Sequence, residues 1–488
     1  MTTAGYLDNK GLLGASYFFS TEKKGLNRVN RFFPTIARQL MHSIPGFAEC
    51  LRNSLKQHGN PKTEAAEIEM VRPEEQFRRL ILVPISATAN NMSEILTRVI
   101  LIDGLDEVGD EEIVDMICHR LTTLCKVPKI RLLVFLSTRH SKAITIALEK
   151  AEYHQLSMLK FPDETKEDIF AFLSTSFKAI KNKYDIAENP WPRSEVLERL
   201  LRLAVTPSPL FIYAATLCRF VDDRIDLPKA QLDTWLQHAD KNENTTSMNS
   251  VYRLIIERLL FVYKEGQQPR PITDGYRSKL LQILGAIILL AAPLPAMSLS
   301  ALLDLTPDEF NIPTQRKLHA VLDIPSDGQA PIRILHKSFS DFLLGSEGTG
   351  IDGFRLNAAE THAILASKCI NRMKSKRSGL QRDICNIKDD TKPRENINES
   401  IIRNSILPDL EYACLNWVYH LQHCSRNTSV ADEIGLGIRD EDILAFLKVH
   451  FLHWLEALGW RGAMPHCHSL IDTLRSLIMV GLLRVVSL

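Results

Sequence analysis

The nine cysteines of this 488-residue chain include no CxxC pair and no short, regular spacing. A long chain without a cysteine framework is expected to keep reduced, mostly buried thiols, which argues against a disulfide-stapled extracellular fold. Neither sign of charge predominates: 59 Lys and Arg stand against 58 Asp and Glu, a formal charge of +1. No global field draws such a chain to nucleic acid or to an anionic membrane, so neither is expected as a partner. The start, Met1-Thr2-Thr3-Ala4-Gly5, has neither the basic nor the apolar region of a signal peptide. Long apolar runs are also missing. The longest, residues 280–292, is interrupted by Gln282 and Gly285 and stopped by Pro293 and Pro295. It falls short of the ~20 residues that a membrane span requires, so a buried helix is expected there. The tail at 477–483 is shorter and flanked by Arg475 and Arg484. No repeat of fixed period occurs, which excludes a solenoid or propeller within these residues. A soluble, cytoplasmic protein is the expectation.

Hydrophobic residues make up 45% of the chain and charged residues 24%, ordinary values for globular protein with room for two to four domains. Over the first ~160 residues short apolar runs alternate with amphipathic stretches, the pattern of a parallel α/β sheet. Strands are expected at 15–19, 98–102, 130–137 and 155–159. Helices are expected at 31–44, with Pro34 in the first turn, at 74–82 and at 113–124; residues 56–65 are polar. Beyond Pro162 the texture is helical. Helices are expected at 163–177 and 194–204, with a turn at Pro190-Trp191-Pro192 between them, and at 211–221. A polar run, 240–250, suggests a linker, and a β-like run at 331–335 leads into a helix at 337–344. From Phe354 onward helix is expected again, with a charged and mobile loop at 388–398.

Two strand ends carry the chemistry. In Arg98-Val-Ile-Leu-Ile-Asp103-Gly-Leu-Asp106-Glu107 an apolar strand ends on an acid, followed by glycine and two more acids. That is what a Walker B site needs. The strand end holds Asp103 where it can bind a hydrated magnesium ion, Gly104 turns the backbone away, and Asp106 or Glu107 can orient a water. A buried strand closing in an acidic turn produces the same local pattern. In Leu132-Leu-Val-Phe-Leu-Ser137-Thr138-Arg139 the next strand brings hydroxyls and a guanidinium to the same edge. Arg139 there suits a sensor of terminal phosphate, being planar, always charged and bidentate toward phosphate oxygens. His466-Cys467-His468 is a short tract with no second ligand cluster beside it, so a metal site there is not expected.

Gly14-Ala-Ser-Tyr-Phe-Phe-Ser20, Phe33-Pro-Thr-Ile-Ala-Arg-Gln-Leu40 and the Asp103–Glu107 motif resemble the NACHT domain of fungal NLR-like proteins, a class of STAND NTPases. Leu210-Phe-Ile-Tyr-Ala-Ala-Thr-Leu-Cys-Arg-Phe220 is similar to the helix after that family's nucleotide-binding core. Pro331-Ile-Arg-Ile-Leu-His-Lys-Ser-Phe-Ser-Asp-Phe-Leu343, Tyr412-Ala-Cys and Leu452-His-Trp-Leu-Glu-Ala-Leu458 follow in the family's order. The resemblance implies an α/β core at 1–160, a helical domain at 161–240, a winged-helix region at 241–345 and a C-terminal helical domain at 346–488. It implies ATP or ADP with Mg2+ as cofactors. Asp103 would ligate the metal, Asp106 and Glu107 would supply the catalytic carboxylate, and Arg139 would be the phosphate sensor. Pro209 would lie near the adenine base and His336 would contact the β-phosphate of ADP, although a packed core histidine is the alternative for His336. Val205-Thr206-Pro207-Ser208 departs from the glycine-containing approach usual before that proline.

No GxxxxGK[ST] occurs anywhere in the chain. That loop cradles phosphates with backbone N–H groups and a lysine, and nothing here replaces it. In the family, the strand feeding it lies between the sensor strand and the last strand of the sheet. An incomplete P-loop NTPase sheet, open inside at an apolar edge and poorly soluble, is therefore expected. An upstream start or a degenerate copy would equally account for the missing loop. The resulting expectation is a fragment of a nucleotide-dependent switch in immunity or self/non-self recognition, inactive as an ATPase as written. The alternative is a nucleotide-free scaffold. Protein partners are expected in both cases, either through self-association or through complete relatives.

Overall fold

The computed structural model describes the chain apart from residues 1, 20–28, 57–71, 109–110, 139–141, 151–163, 207–209, 224–226, 242–247, 263–269, 307–308, 311–317, 326–327, 346–350, 352–353, 389–391, 425–439, 465–466, 468–469 and 478–488. It divides into two compact units, Met1–Met158 and Leu159–Leu488.

The first unit is built on three parallel strands, β1 (Leu13–Phe18), β2 (Leu96–Asp103) and β3 (Ile130–Ser137), in the order β1-β2-β3. The helices are α1 (Thr2–Asn9), α2 (Val29–Ser43), α3 (Phe47–Lys56), α4 (73–90), α5 (Glu111–Cys125) and α6 (Lys142–Lys150). β3 and α5 fall where the apolar periodicity predicts them. α2 begins two residues before its expected start, so Pro34 lies inside the helix rather than in its first turn. The strand expected at 155–159 lies outside the described residues.

Side chains alternate across the sheet. Ile100 and Ile102 are fully buried and stand beside Ala15 and Tyr17 on β1 and Val134 and Leu136 on β3. Tyr17, Phe19 and Phe32 of α2 form a ring cluster with centroids 4.8–5.4 Å apart. Leu101, central on the opposite face, is buried, whereas its β3 neighbours Leu133 and Phe135 are 44% and 46% exposed.

The two outer edges of the sheet differ. On β1, Gln39 of α2 accepts from the Ser16 N–H and donates to the Ser16 carbonyl, each at 2.8 Å, and Ser43 Oγ donates to the Gly14 carbonyl at 2.7 Å. Side chains thus occupy the positions a further strand would need. β3 bonds to β2 through its odd-numbered residues, with Leu96 N–H donating to Lys129 and Gly104 N–H to Ser137. The N–H and C=O groups of Leu132, Val134 and Leu136 therefore face away from β2, where no strand among the described residues pairs with them.

The second unit is helical. Its helices are α7 (Glu164–Lys183), α8 (Ser194–Val205), α9 (Phe211–Val221), α10 (Pro228–Lys241), α11 (Met248–Leu260), α12 (Asp274–Leu289), α13 (Ala296–Leu303), α14 (Lys337–Leu344), α15 (Ala358–Met373), α16 (Glu399–Ser405), α17 (Pro408–His423) and α18 (Asp440–Trp460). Two short antiparallel ribbons interrupt it, β4 (Phe261–Val262) with β5 (Arg270–Pro271) and β6 (Leu322–Asp323) with β7 (Arg333–Ile334). One continuous apolar core runs from Ile169 to Leu474, and the run at 280–292 forms most of α12 within it. Within the loop expected at 388–398, residues Arg394–Asn396 form a 3-10 turn, and Arg394 Nε donates to the Trp460 carbonyl at 2.7 Å. Among the described residues no helix is long and apolar enough to cross a membrane.

Candidate functional site

Asp103 closes β2, and the parallel register sets it beside Phe18 on one flank and Ser137 on the other. All three stand at the carboxyl edge of the sheet, where open α/β folds bind their ligands. The Asp103 carbonyl accepts from the Phe19 N–H at 2.8 Å, which fixes the backbone, and Ser137 Oγ donates to Asp103 Oδ1. Gly104 then turns the chain at φ 72°, its N–H donating to the Ser137 carbonyl at 3.1 Å. A Cβ at this position would lie 3.0 Å from the Phe19 carbonyl oxygen, so glycine is needed both for the turn and for the close approach.

A 3-10 turn, Leu105–Val108, follows and is anchored by the fully buried Leu105. It holds Asp106 and Glu107 half-buried beside the strand end, with the Glu107 N–H donating to the Gly104 carbonyl at 2.9 Å. Thr138 Oγ1 lies 3.4 Å from Asp106 Oδ1. The structure thus gathers Asp103, Asp106, Glu107, Ser137 and Thr138 on one edge. Arg139 and Pro209 lie outside the described residues.

The donor set consists of hard oxygens, carboxylate and hydroxyl, which suits Mg2+ rather than a soft metal. Among the described residues no three acidic, histidine or cysteine side chains form a ready-made metal cage. Mg2+ is commonly held by one or two carboxylates plus water and substrate phosphates, so Asp103 with one neighbour fits that ion. Phosphate does not fit equally well, because the described side chains here are carboxylates and hydroxyls without a cation.

His336 belongs to the second unit. Its ring caps α14, Nδ1 accepting from the Ser338 N–H at 3.2 Å and lying 2.6 Å from Ser338 Oγ, which meets Tyr252 Oη at 2.7 Å. The contact with the Ser338 N–H needs an unprotonated Nδ1, so in the neutral ring the proton sits on Nε2. Of the 466–468 tract only Cys467 is described, and it is buried.

Sequence reasoning brought the hydroxyls of Ser137 and Thr138 to this edge but assigned them no partner, since pairing with Asp103 and Asp106 depends on strand register. It missed the plugging of β1 by Gln39 and Ser43 altogether. The available signal was two polar residues four apart on the apolar face of α2.

The family model of Nephrocystin 3, N-terminal, matches residues 2–139. A stretch of 163 residues, 30% of this chain, is 29% identical to the vegetative incompatibility protein HET-E-1 of Podospora anserina. That match spans 11% of the Podospora protein, so the chain is compared with only a small part of its relative. No solved structure matches. The two matches agree with the resemblance to NACHT-type, NLR-like proteins of fungi over part of the chain.

Proposed function

We propose that this chain is part of a NACHT-type signalling switch, and that its first unit forms the magnesium side of a nucleotide site whose phosphate cradle comes from outside these residues. The observation that carries this reading is the meeting of Asp103 and Asp106 with Ser137 and Thr138 at the carboxyl edge. The β3 edge, which no strand among the described residues pairs, with Leu133 and Phe135 exposed beside it, supports a further strand there that delivers the cradle.

In this reading Asp103 ligates hydrated Mg2+, Glu107 with Asp106 orients a water, and Arg139 senses the terminal phosphate. Pro209 borders the adenine, and His336 contacts the β-phosphate of ADP. Exchange of ADP for ATP would release a closed state and permit assembly with other copies or complete relatives. The name of the Podospora relative, a vegetative incompatibility protein, agrees with a role in self/non-self recognition.

The test is calorimetric titration with Mg-ATP of this chain and of a version extended upstream through a P-loop. Charged hydrogen bonds contribute roughly 1.5–3 kcal/mol each, so the short chain should bind several orders of magnitude more weakly than the extended one. Micromolar binding by the short chain would show that the cradle lies within it. Absence of binding by both would leave a nucleotide-free scaffold that associates with complete relatives.

A further inference from the structure

Three segments of the second unit meet in a chain of hydrogen bonds that has a direction. The Ala291 N–H, just past α12, donates to Tyr412 Oη at 3.0 Å. The hydrogen of that hydroxyl has one recorded acceptor, His420 Nε2 at 2.8 Å. His420 must then carry its proton on Nδ1, from which it donates to His362 Nδ1 at 2.8 Å. His362 in turn keeps its proton on Nε2. Tyr412, His420 and His362 are all buried, and the chain ties the end of α12 to α17 and α15.

A further proton upsets this chain. On His420 Nε2 it would turn the contact round, so that the Tyr412 oxygen accepts from both Ala291 and His420 and its own hydrogen loses its acceptor. On His362 Nδ1 it would face the N–H of His420. Either addition breaks a buried hydrogen bond and leaves an imidazolium in an apolar core.

We propose that this neutral pair is an acid-sensitive latch: uptake of a proton by His362 or His420 loosens α17 from α15 and frees the segment after α12 from Tyr412.

The surroundings offer an imidazolium no counter-charge. α13 carries no ionisable side chain, and those of α12 (Asp274, Tyr276, Arg277, Lys279) stand at its opposite end. On α15, Glu360 accepts from Asn357 Nδ2, the Lys368 amine bonds the Leu303 carbonyl, and Arg372 pairs with Asp409 of α17. Glu411 of α17 pairs with Arg461. From α18, Glu456 accepts from the Asp383 and Ile384 N–H groups, Glu441 and Asp442 lie in the first turn, and His450 and His453 contact each other. The thiols of Cys369 and Cys414 are pushed up by burial and stay neutral. His423, whose ring lies 5.2 Å from that of His362, only adds repulsion once charged.

Burial, reinforced by His423, holds His362 down at about 4, and burial with both neighbouring histidines holds His420 at about 3. Released rings titrate near 6.5. The latch is therefore fully held above about pH 6.5. As the pH falls below that value the open form binds more protons than the closed one, and opening becomes progressively easier.

Hydrogen exchange of the full chain at pH 7 and pH 5, corrected for intrinsic rates, tests this. Opening of α15 and α17 should rise by more than about tenfold at pH 5, relative to α8 and α9 as internal controls. Equal acceleration of all four helices would overturn the proposal. His362→Asn supplies an oxygen acceptor for the His420 N–H but takes no proton. Its pH 7 to pH 5 ratio should be smaller by roughly tenfold, with tryptophan fluorescence like that of the original chain. An unchanged ratio in the folded variant would likewise overturn it, and if the variant does not fold, exchange of the original chain decides alone.

Discussion

At Gly104 and Asp409 the local geometry sets what a single substitution costs. At Gly104 an alanine meets both the left-handed backbone and the Phe19 carbonyl oxygen 3.0 Å away. Gly104→Ala should cost about 1–2 kcal/mol, read as a lower urea midpoint by circular dichroism of the first unit. A midpoint within error of the original would mean that the turn adapts freely. Asp409 and Arg372 form an ion pair whose side chains are 5% and 9% exposed, and Arg372 Nη1 also donates to the Ser378 carbonyl at 2.7 Å. Removing one buried partner strands the other, so Asp409→Ala should destabilise the helical unit by about 3–5 kcal/mol in a denaturant titration. A loss under 1 kcal/mol, the scale of exposed pairs, would contradict that assignment of burial. The acidic pattern ending at Asp103 is visible in the amino-acid order because one strand contains all of it. The Ser137 and Thr138 bonds are not, because each joins residues more than thirty positions apart through a register that local patterning leaves open.

Elements were legible where one physical signal dominated. β3 (Ile130–Ser137) and α9 (Phe211–Val221) are largely apolar and α14 (Lys337–Leu344) is apolar at helical spacing, and their boundaries coincide with expectation. The helix expected at 74–82 instead continues to Asn90 through Pro84. A π turn, Arg78–Leu82, absorbs the interruption: the Val83 N–H bonds the Arg78 carbonyl five residues back, and Pro84 enters just where a donor is dispensable. α3 was not expected, since its ten residues bury only Phe47, Leu51 and Ser54, too few to establish a period. Exposure of β3 yields the prediction at this scale. Phe135 is an exposed apolar side chain on a strand whose far edge no strand among the described residues pairs, an arrangement that promotes association between chains. Phe135→Lys should lower concentration-dependent light scattering while leaving the thermal midpoint within a few degrees. Unchanged scattering would mean that association, if any, uses another surface.

The two units differ in how completely they cover their apolar surfaces, and that difference has a measurable consequence. In the first unit one face of the sheet is buried under α2 and α5, while the other leaves Leu133 and Phe135 open to solvent. In the second unit one core cluster links helices from α7 to α18, including the fully buried Trp417 and Trp454 with ring centroids 5.5 Å apart. Less buried apolar area means less to offset conformational entropy, so the first unit should be the less stable. All five tryptophans, Trp191, Trp235, Trp417, Trp454 and Trp460, belong to the second unit. Fluorescence therefore reports that unit, whereas far-ultraviolet circular dichroism reports both. In guanidinium the ellipticity should begin to fall at a concentration where fluorescence is still native-like. Gly104→Ala should move only that early phase, and Asp409→Ala only the later one. Coincident curves for the two probes, shifted together by either substitution, would show a single cooperative molecule and remove the argument that the open sheet is its weak half.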